Sequence, residues 1–203
     1  MLFRSVWTVF GFALGAVPFS VWLGRLFLHE DVRRYGDGNP GAASAWRAGT
    51  WRLGLPVLLL DFLKGALPVG VARFYAGVSG WGLVAVALAP VMGHAFSPLL
   101  GFRGGKAVAV SFGIWSGLTL WEGPIVLGFL LTLLTLTRTA DAWTVMWGML
   151  AFLAYWLLRR ADLYTLSVWG GNMLILAWKH RAALRGQPMQ PFPRLLRLLR
   201  RLP

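Results

Sequence analysis

The chain has no cysteine, which excludes disulfides, thiolate metal sites and thiol nucleophiles. Acidic residues are scarce as well: 7 Asp and Glu stand against 20 Lys and Arg, a formal net charge of +13. Three scattered histidines do not make a metal site, and no convincing Ser-His-Asp arrangement is present. Charged residues amount to only 13% of the 203 residues, whereas 57% are hydrophobic, a balance that a water-soluble domain could hardly display without aggregating. The chain therefore reads as an integral membrane protein. Its positive charge fits membrane topology and anionic lipid better than nucleic acid.

Apolar runs lie near residues 5–28, 50–74, 81–100, 106–121, 124–137, 140–158 and 163–178. Several fall short of the roughly 20 residues that cross a bilayer. Seven spans is the reading, with six or eight left open. The N-terminal stretch 1–27 carries Arg4, Gly15, Pro18 and Arg25 without a cleavage site, so it is taken as the first span and not a signal peptide. With seven spans, Arg25, Arg33, Arg34, Arg47, Arg52, Arg103, Lys106, Arg138 and everything from Lys179 onward share one side. Arg4, Arg73, Arg159 and Arg160 take the other.

By the positive-inside rule the richer side is cytoplasmic, with the N-terminus outside and the C-terminus cytoplasmic. The expectation is an all-α integral membrane protein of about seven transmembrane helices, one domain over residues 1–203. Within it, 191–203 is a basic amphipathic tail whose Arg and Leu recur at helical spacing and which would lie on the inner leaflet.

Two glycine loops break this apolar background, and the topology puts both on the cytoplasmic side. One is Gly101-Phe102-Arg103-Gly104-Gly105-Lys106, at the start of an apolar run. Glycine backbone lets N–H groups converge on an anion, a helix N-terminus favours negative charge, and Lys106 adds a cation. The alternative is a tight turn with interfacial cations. The other is Gly36-Asp37-Gly38-Asn39-Pro40-Gly41, with Arg47 close behind. Asn39 could donate to a carbonyl or phosphate and Arg47 could grip a phosphate bidentately; the alternatives are a turn and a topology marker.

Asp61 and Lys64 stand one helical turn apart inside an apolar run and are expected to form an interior ion pair that braces the loops. His94 reads as a hydrogen-bonded core histidine or a pocket residue, and His180 as an interfacial residue able to reach a phosphate. Asp141 reads as a helix N-cap or a partner of Arg138. The tryptophans mostly suit interfacial belts and lipid-facing packing.

These pieces run in one order along nearly the whole chain: Gly15 to Phe19, Gly36 to Arg47, Asp61 to Val69, Gly93-His94-Ala95-Phe96, Phe102 to Lys106, Thr137-Arg138 and His180-Arg181. In that order the chain resembles the bacterial acyl-phosphate:glycerol-3-phosphate acyltransferases of the PlsY type. The resemblance implies a seven-span fold with a cytoplasmic active site in the bacterial cell membrane. It also implies transfer of a fatty acyl group from acyl phosphate to the 1-hydroxyl of glycerol 3-phosphate, releasing lysophosphatidic acid and inorganic phosphate.

No cofactor, metal or nucleic acid is implied, and the substrate's own phosphate would help to take the hydroxyl proton. Carried over by position, Asn39, Lys106 and His180 would be catalytic. Asp37, Gly38, Gly41, Arg47, His94, Gly104, Gly105 and Asp141 would bind substrate, with the two glycines of the second loop giving backbone donors. The partners would be the two substrates and membrane lipid.

The chain departs from that family's pattern at a few places. Asp37 and Asp141 stand where serines are usual, Ser44 and Ala183 where asparagines are, and Ala107 where a glycine is. Two carboxylates in a pocket built for phosphates would repel them unless paired with Arg47, Arg138 or Lys106. Two other readings follow. One keeps the acyl phosphate donor and changes the acceptor to a polyol or amino alcohol. The other is a non-catalytic lipid- or anion-binding membrane protein.

Overall fold

The computed structural model describes residues 2–136 and 141–186, which form helices and no strand. The α-helices are α1 (Leu2–Ala16), α2 (Phe19–Leu28), α3 (Ala42–Gly70), α4 (Gly80–Ala95), α5 (Val108–Thr119), α6 (Glu122–Leu136), α7 (Asp141–Leu158) and α8 (Leu163–Gly186). Counting α1 and α2 as one interrupted pass, these are the seven runs expected from hydropathy. Three stretches are long and apolar enough to cross a membrane: Ser5–Leu28, Ala42–Tyr75 and Gly80–Leu100. The tail at 187–203 and the pair Thr137-Arg138 lie outside the described residues.

The first pass differs from its continuous expectation. Pro18 disfavours helix at the residue before it and ends the ladder of α1, so the carbonyls of Ala16 and Val17 at the break have no i+4 partner, Val17 O keeping a bond from Phe19 N at 3.1 Å. Side chains from other helices take them over: Ser97 Oγ donates to Ala16 O at 2.5 Å and Lys64 Nζ to Val17 O at 3.0 Å. A polar side chain from α3 and one just beyond α4 thus close a break that would be costly in an apolar layer.

Helix α3 is broken as well, at Gly49-Thr50, where Thr50 adopts φ +58°. The part before the break carries Arg47 and folds back so that the Trp46 ring covers Gly54. The membrane run therefore begins at residue 50, as its hydropathy indicates.

Bare backbone lets the central helices approach closely. A Cβ on Gly113 of α5 would sit 2.1 Å from Phe62 O of α3, and one on Gly65 of α3 would sit 2.6 Å from Val110 O. Helices α1 and α4 meet the same way at Gly15 and Gly93. Overpacking of this kind typically costs about 1–3 kcal/mol. We expect Gly113→Leu to lower the midpoint of thermal unfolding in detergent by several degrees, whereas Gly170→Leu, which meets open space, should leave it within a degree or two.

The interior corrects the expectation for tryptophan. Trp115 is fully buried, stacked on Trp156 at 5.5 Å and edge-on to Phe152 at 4.9 Å. Its Nε1 donates to Asn172 Oδ1 at 3.2 Å, Asn172 Nδ2 donates to Ser111 Oγ at 2.7 Å, and Ser111 Oγ donates to Ala107 O at 2.8 Å. This chain of bonds ties α8 to the N-terminus of α5, beside the second glycine loop. Trp22, Trp46, Trp51, Trp81, Trp121 and Trp178 are exposed, as surface belts require.

Candidate active site

The first glycine loop is anchored from behind. Asp31 caps the turn Val32–Arg34, accepting from Arg33 N at 3.0 Å, and takes the Arg33 guanidinium through Nε at 2.9 Å and Nη2 at 2.6 Å. Arg25 adds a contact at 3.2 Å. The Arg33 guanidinium holds the Asp31 carboxyl far below the usual carboxylate range, so this clamp persists at neutral pH. Beyond it Gly36 and Gly38 both take φ +74°, a conformation that glycine adopts without penalty. A Cβ at Gly36 would lie 2.1 Å from Arg47 Nη1, so the guanidinium rests against this loop.

The second loop lies between Phe96 and α5. Helix α5 has 12 residues and is about 18 Å long, short of the roughly 30 Å hydrocarbon layer. Irregular backbone before it is tolerated at such depth only where it is buried in protein or lines a cavity. Here it does both. Gly104 and Gly105 are buried against α4: a Cβ on Gly104 would fall 1.9 Å from His94 O, and one on Gly105 2.2 Å from His94 Nε2.

The Gly105 N–H donates to His94 O at 3.0 Å. It is therefore spent on the protein, which corrects the expectation that this glycine offers a backbone donor to substrate. Helix α5 also starts later than expected, at Val108, after Ala107 in a left-handed conformation.

The two loops meet through one ion pair. Lys106 Nζ lies 2.5 Å from Asp37 Oδ2, across 69 residues of sequence. Between the loops and the end of α8 opens a cleft of about 550 Å³. Asp37, Gly38, Asn39, Gly104 and Lys106 line it, together with Arg103, Lys179 and Arg181, so four cations face one carboxylate. Phe96, Phe102 and Trp178 give it an apolar wall; the last two are exposed.

The remaining expected residues fall around the cleft. Gly41 caps α3, within 3.1 Å of Asn39 Nδ2 if a Cβ is placed on it. His94 is buried beneath Gly105 with Nδ1 3.7 Å from Asp61 Oδ1, and Asp61 pairs with Lys64 at 2.8 Å, the interior ion pair expected from their spacing. His180 is also buried, with Nδ1 2.8 Å from Leu176 O, and does not line the cleft. The side chain of Asp141 lies outside the described residues.

A match to the family model for glycerol-3-phosphate acyltransferase covers residues 5–186 of this chain. The chain belongs to that family. Glycerol-3-phosphate acyltransferase 1 of Thermotoga maritima is 39% identical over 188 residues, covering 86% of this chain and 92% of that protein. The glycerol-3-phosphate acyltransferase of Thermus thermophilus is 38% identical over 186 residues, covering 89% and 90%. The crystal structure of PlsY, an integral membrane glycerol 3-phosphate acyltransferase, in its glycerol 3-phosphate form matches the fold with a TM-score of 0.82. Identity to it is 25%, over 96% of this chain and 98% of that one. This member of the family is thus an all-helical integral membrane acyltransferase.

Of the lining residues to which the sequence reading gave no site role, Lys179 is the one tied most closely to the second loop. Lys179 Nζ donates to Ala95 O at 2.9 Å and to Gly104 O at 2.8 Å, and lies 5.5 Å from the Phe96 ring centre. It clasps the second loop from α8 and presents its charge to the cleft. The signal available was helical: Ala182 and Ala183 stand three and four residues on and leave that face open, while His180 is turned about 100° away. Charge-assisted bonds are worth roughly 1.5–3 kcal/mol. We expect Lys179→Met to lower kcat/KM by about tenfold to a hundredfold, measured as acceptor-dependent product formation.

Proposed function

We propose that this chain transfers a fatty acyl group from acyl phosphate to the 1-hydroxyl of glycerol 3-phosphate, at the cytoplasmic face of a bacterial cell membrane. The names of its relatives support the acceptor, as does the solved glycerol 3-phosphate form of PlsY. The observation that carries the reading is the cleft itself: two glycine loops joined at Lys106, four cations and an aromatic wall. A phosphate carrying a hydrocarbon chain needs just that pairing of cationic and apolar surface. The cleft end of the molecule also holds Arg25, Arg33, Arg34, Arg103 and Arg185, against Arg73, Arg159 and Arg160 at the other, which supports a cytoplasmic cleft.

Lys106 and Arg103 take a phosphate on the second loop, and Lys179 holds that loop in shape while adding charge. Asn39 faces the reacting carbonyl from the first loop, with Arg47 behind it. The acceptor's hydroxyl oxygen attacks the acyl carbon, the bond from that carbon to the phosphate oxygen breaks, and the electron pair leaves with phosphate. The hydroxyl proton passes to a phosphate oxygen, so no protein base is required. Fixed cations at the departing phosphate and the developing oxyanion supply electrostatic stabilisation, and holding donor and acceptor in one cleft supplies proximity.

The test is release of inorganic phosphate by the purified protein supplied with palmitoyl phosphate, with and without glycerol 3-phosphate. Release that depends on the acceptor, with an equal amount of lysophosphatidic acid, is the expected result. Release that requires a polyol or amino alcohol would reassign the acceptor. No release with any acceptor would overturn the reading in favour of a binding protein.

A further inference from the structure

Asp37 stands out among the residues of the cleft because it is an anion at a place otherwise assembled to attract anions. Among the described residues, Lys106 is the one cation lining the cleft with a carboxylate partner. Lys179 is committed to two carbonyls, and Arg181 Nη1 donates to Trp178 O at 2.6 Å while its guanidinium stacks 4.3 Å from the Trp178 ring. The Asp37 carboxylate thus sits on the lysine that a phosphate would use. Asn39 N donates to Asp37 Oδ1 at 3.3 Å and orients it.

We propose that Asp37 is a resident counter-anion of the phosphate site, a tethered carboxylate that latches the two loops together and must be displaced by the incoming phosphate. The inference rests on the acyltransferase reading for its substrate, but not for its first test. Three features support it. The pair joins two loops from distant parts of the sequence, so its opening and closing change the mouth of the cleft. Both side chains keep solvent access, Lys106 at 33% and Asp37 at 50%, so the contact can exchange for a ligand without exposing buried charge. Asp37 is also ionised at neutral pH: burial alone would raise its carboxyl, but the hydrogen bond and charge of Lys106 and the Asn39 N–H together set it below its ordinary value.

The consequence is selectivity by charge. A phosphate dianion offers Lys106 a stronger attraction than the single carboxylate it replaces, whereas a monoanion gains little by the exchange. An exposed pair of this kind is weak, so the latch opens readily. Removing the carboxylate takes away both the competition and its repulsion of the dianion. The affinity for phosphate should then rise by about tenfold, the order expected for one partly screened charge at contact.

The experiment compares the parent, Asp37→Asn and Asp37→Glu. Binding of inorganic phosphate to each protein in detergent is measured by calorimetric titration, and the KM for glycerol 3-phosphate is measured alongside. The expected result is an approximately tenfold lower dissociation constant for phosphate in Asp37→Asn, with a lower KM, and values near the parent in Asp37→Glu, which retains the charge. Unchanged or weaker phosphate binding in a folded Asp37→Asn protein would overturn the proposal, because the carboxylate would then be neutral to the ligand or part of its site. Tighter binding in both variants would also overturn it, since the effect would then follow side-chain shape and not charge. If the parent binds phosphate but turns over no substrate, the acyltransferase reading fails and the latch is still decided by the titration.

Discussion

Lys106→Ala is expected to reduce kcat/KM by at least about a hundredfold, and by up to about a thousandfold, while the protein remains folded. Loss of a single preorganised donor from a transition-state site typically costs that much. Here the change also leaves Asp37 without its partner beside the phosphate, so repulsion adds to lost attraction. The two contributions separate in a double variant. Asp37→Asn combined with Lys106→Ala should recover part of the phosphate affinity but little of the turnover, because in the proposed reaction the lost cation would act on the departing phosphate. Initial rates with palmitoyl phosphate and glycerol 3-phosphate, and a thermal midpoint for each protein, decide the matter. Equal kcat/KM in Lys106→Ala and the parent would remove Lys106 from the chemistry.

Gly104→Ala should be nearly as damaging, for a reason with no charge in it. The added methyl group would meet His94 O at 1.9 Å and Ala95 O at 2.9 Å, both main-chain atoms. His94 O cannot easily withdraw, because it accepts from Gly105 N, and Ala95 O is held by Lys179. The loop must therefore move out by an ångström or more and carry Lys106 with it. Displacements of that size commonly cost a hundredfold in rate. Gly101→Ala is the control in the same loop. Its Cβ meets nothing within 4 Å, so only the left-handed backbone at φ +59° is penalised, by about 1–2 kcal/mol of stability. Kinetic parameters for the two variants should thus differ widely even though the substitutions are chemically identical.

Much of this molecule is legible in one dimension. Hydropathy marks seven apolar runs, and the break at Gly49-Thr50 begins the second of them where the run itself begins. The i, i+3 spacing of Asp61 and Lys64 inside an apolar helix leaves them little choice but to pair. Glycine clustering picks out both loops, and the family match spans 5–186. The misses are of another kind. In sequence, His180 reads as an interfacial residue able to reach a phosphate, and Lys179 beside it as a topology marker. The structure turns Lys179 to the cleft and buries His180 against its own helix. The tryptophans as a group read mostly as belt and lipid-facing residues, whereas Trp115 is the centre of an aromatic stack joining α5 to α7.

Composition and local pattern by themselves determined the membrane class, the helical content, the loops and the family, because each depends on residues near one another in sequence and on the average medium that surrounds them. Only the tertiary structure decided which N–H groups are already used, which face of α8 meets the cleft, and that Asp37 and Lys106 touch across 69 residues. Those outcomes depend on how far each helix is rotated and how closely its neighbours approach. Such distances are set by packing at Gly65, Gly113, Gly15 and Gly93 between segments remote in sequence, where a few ångströms separate a latch from two unrelated charges.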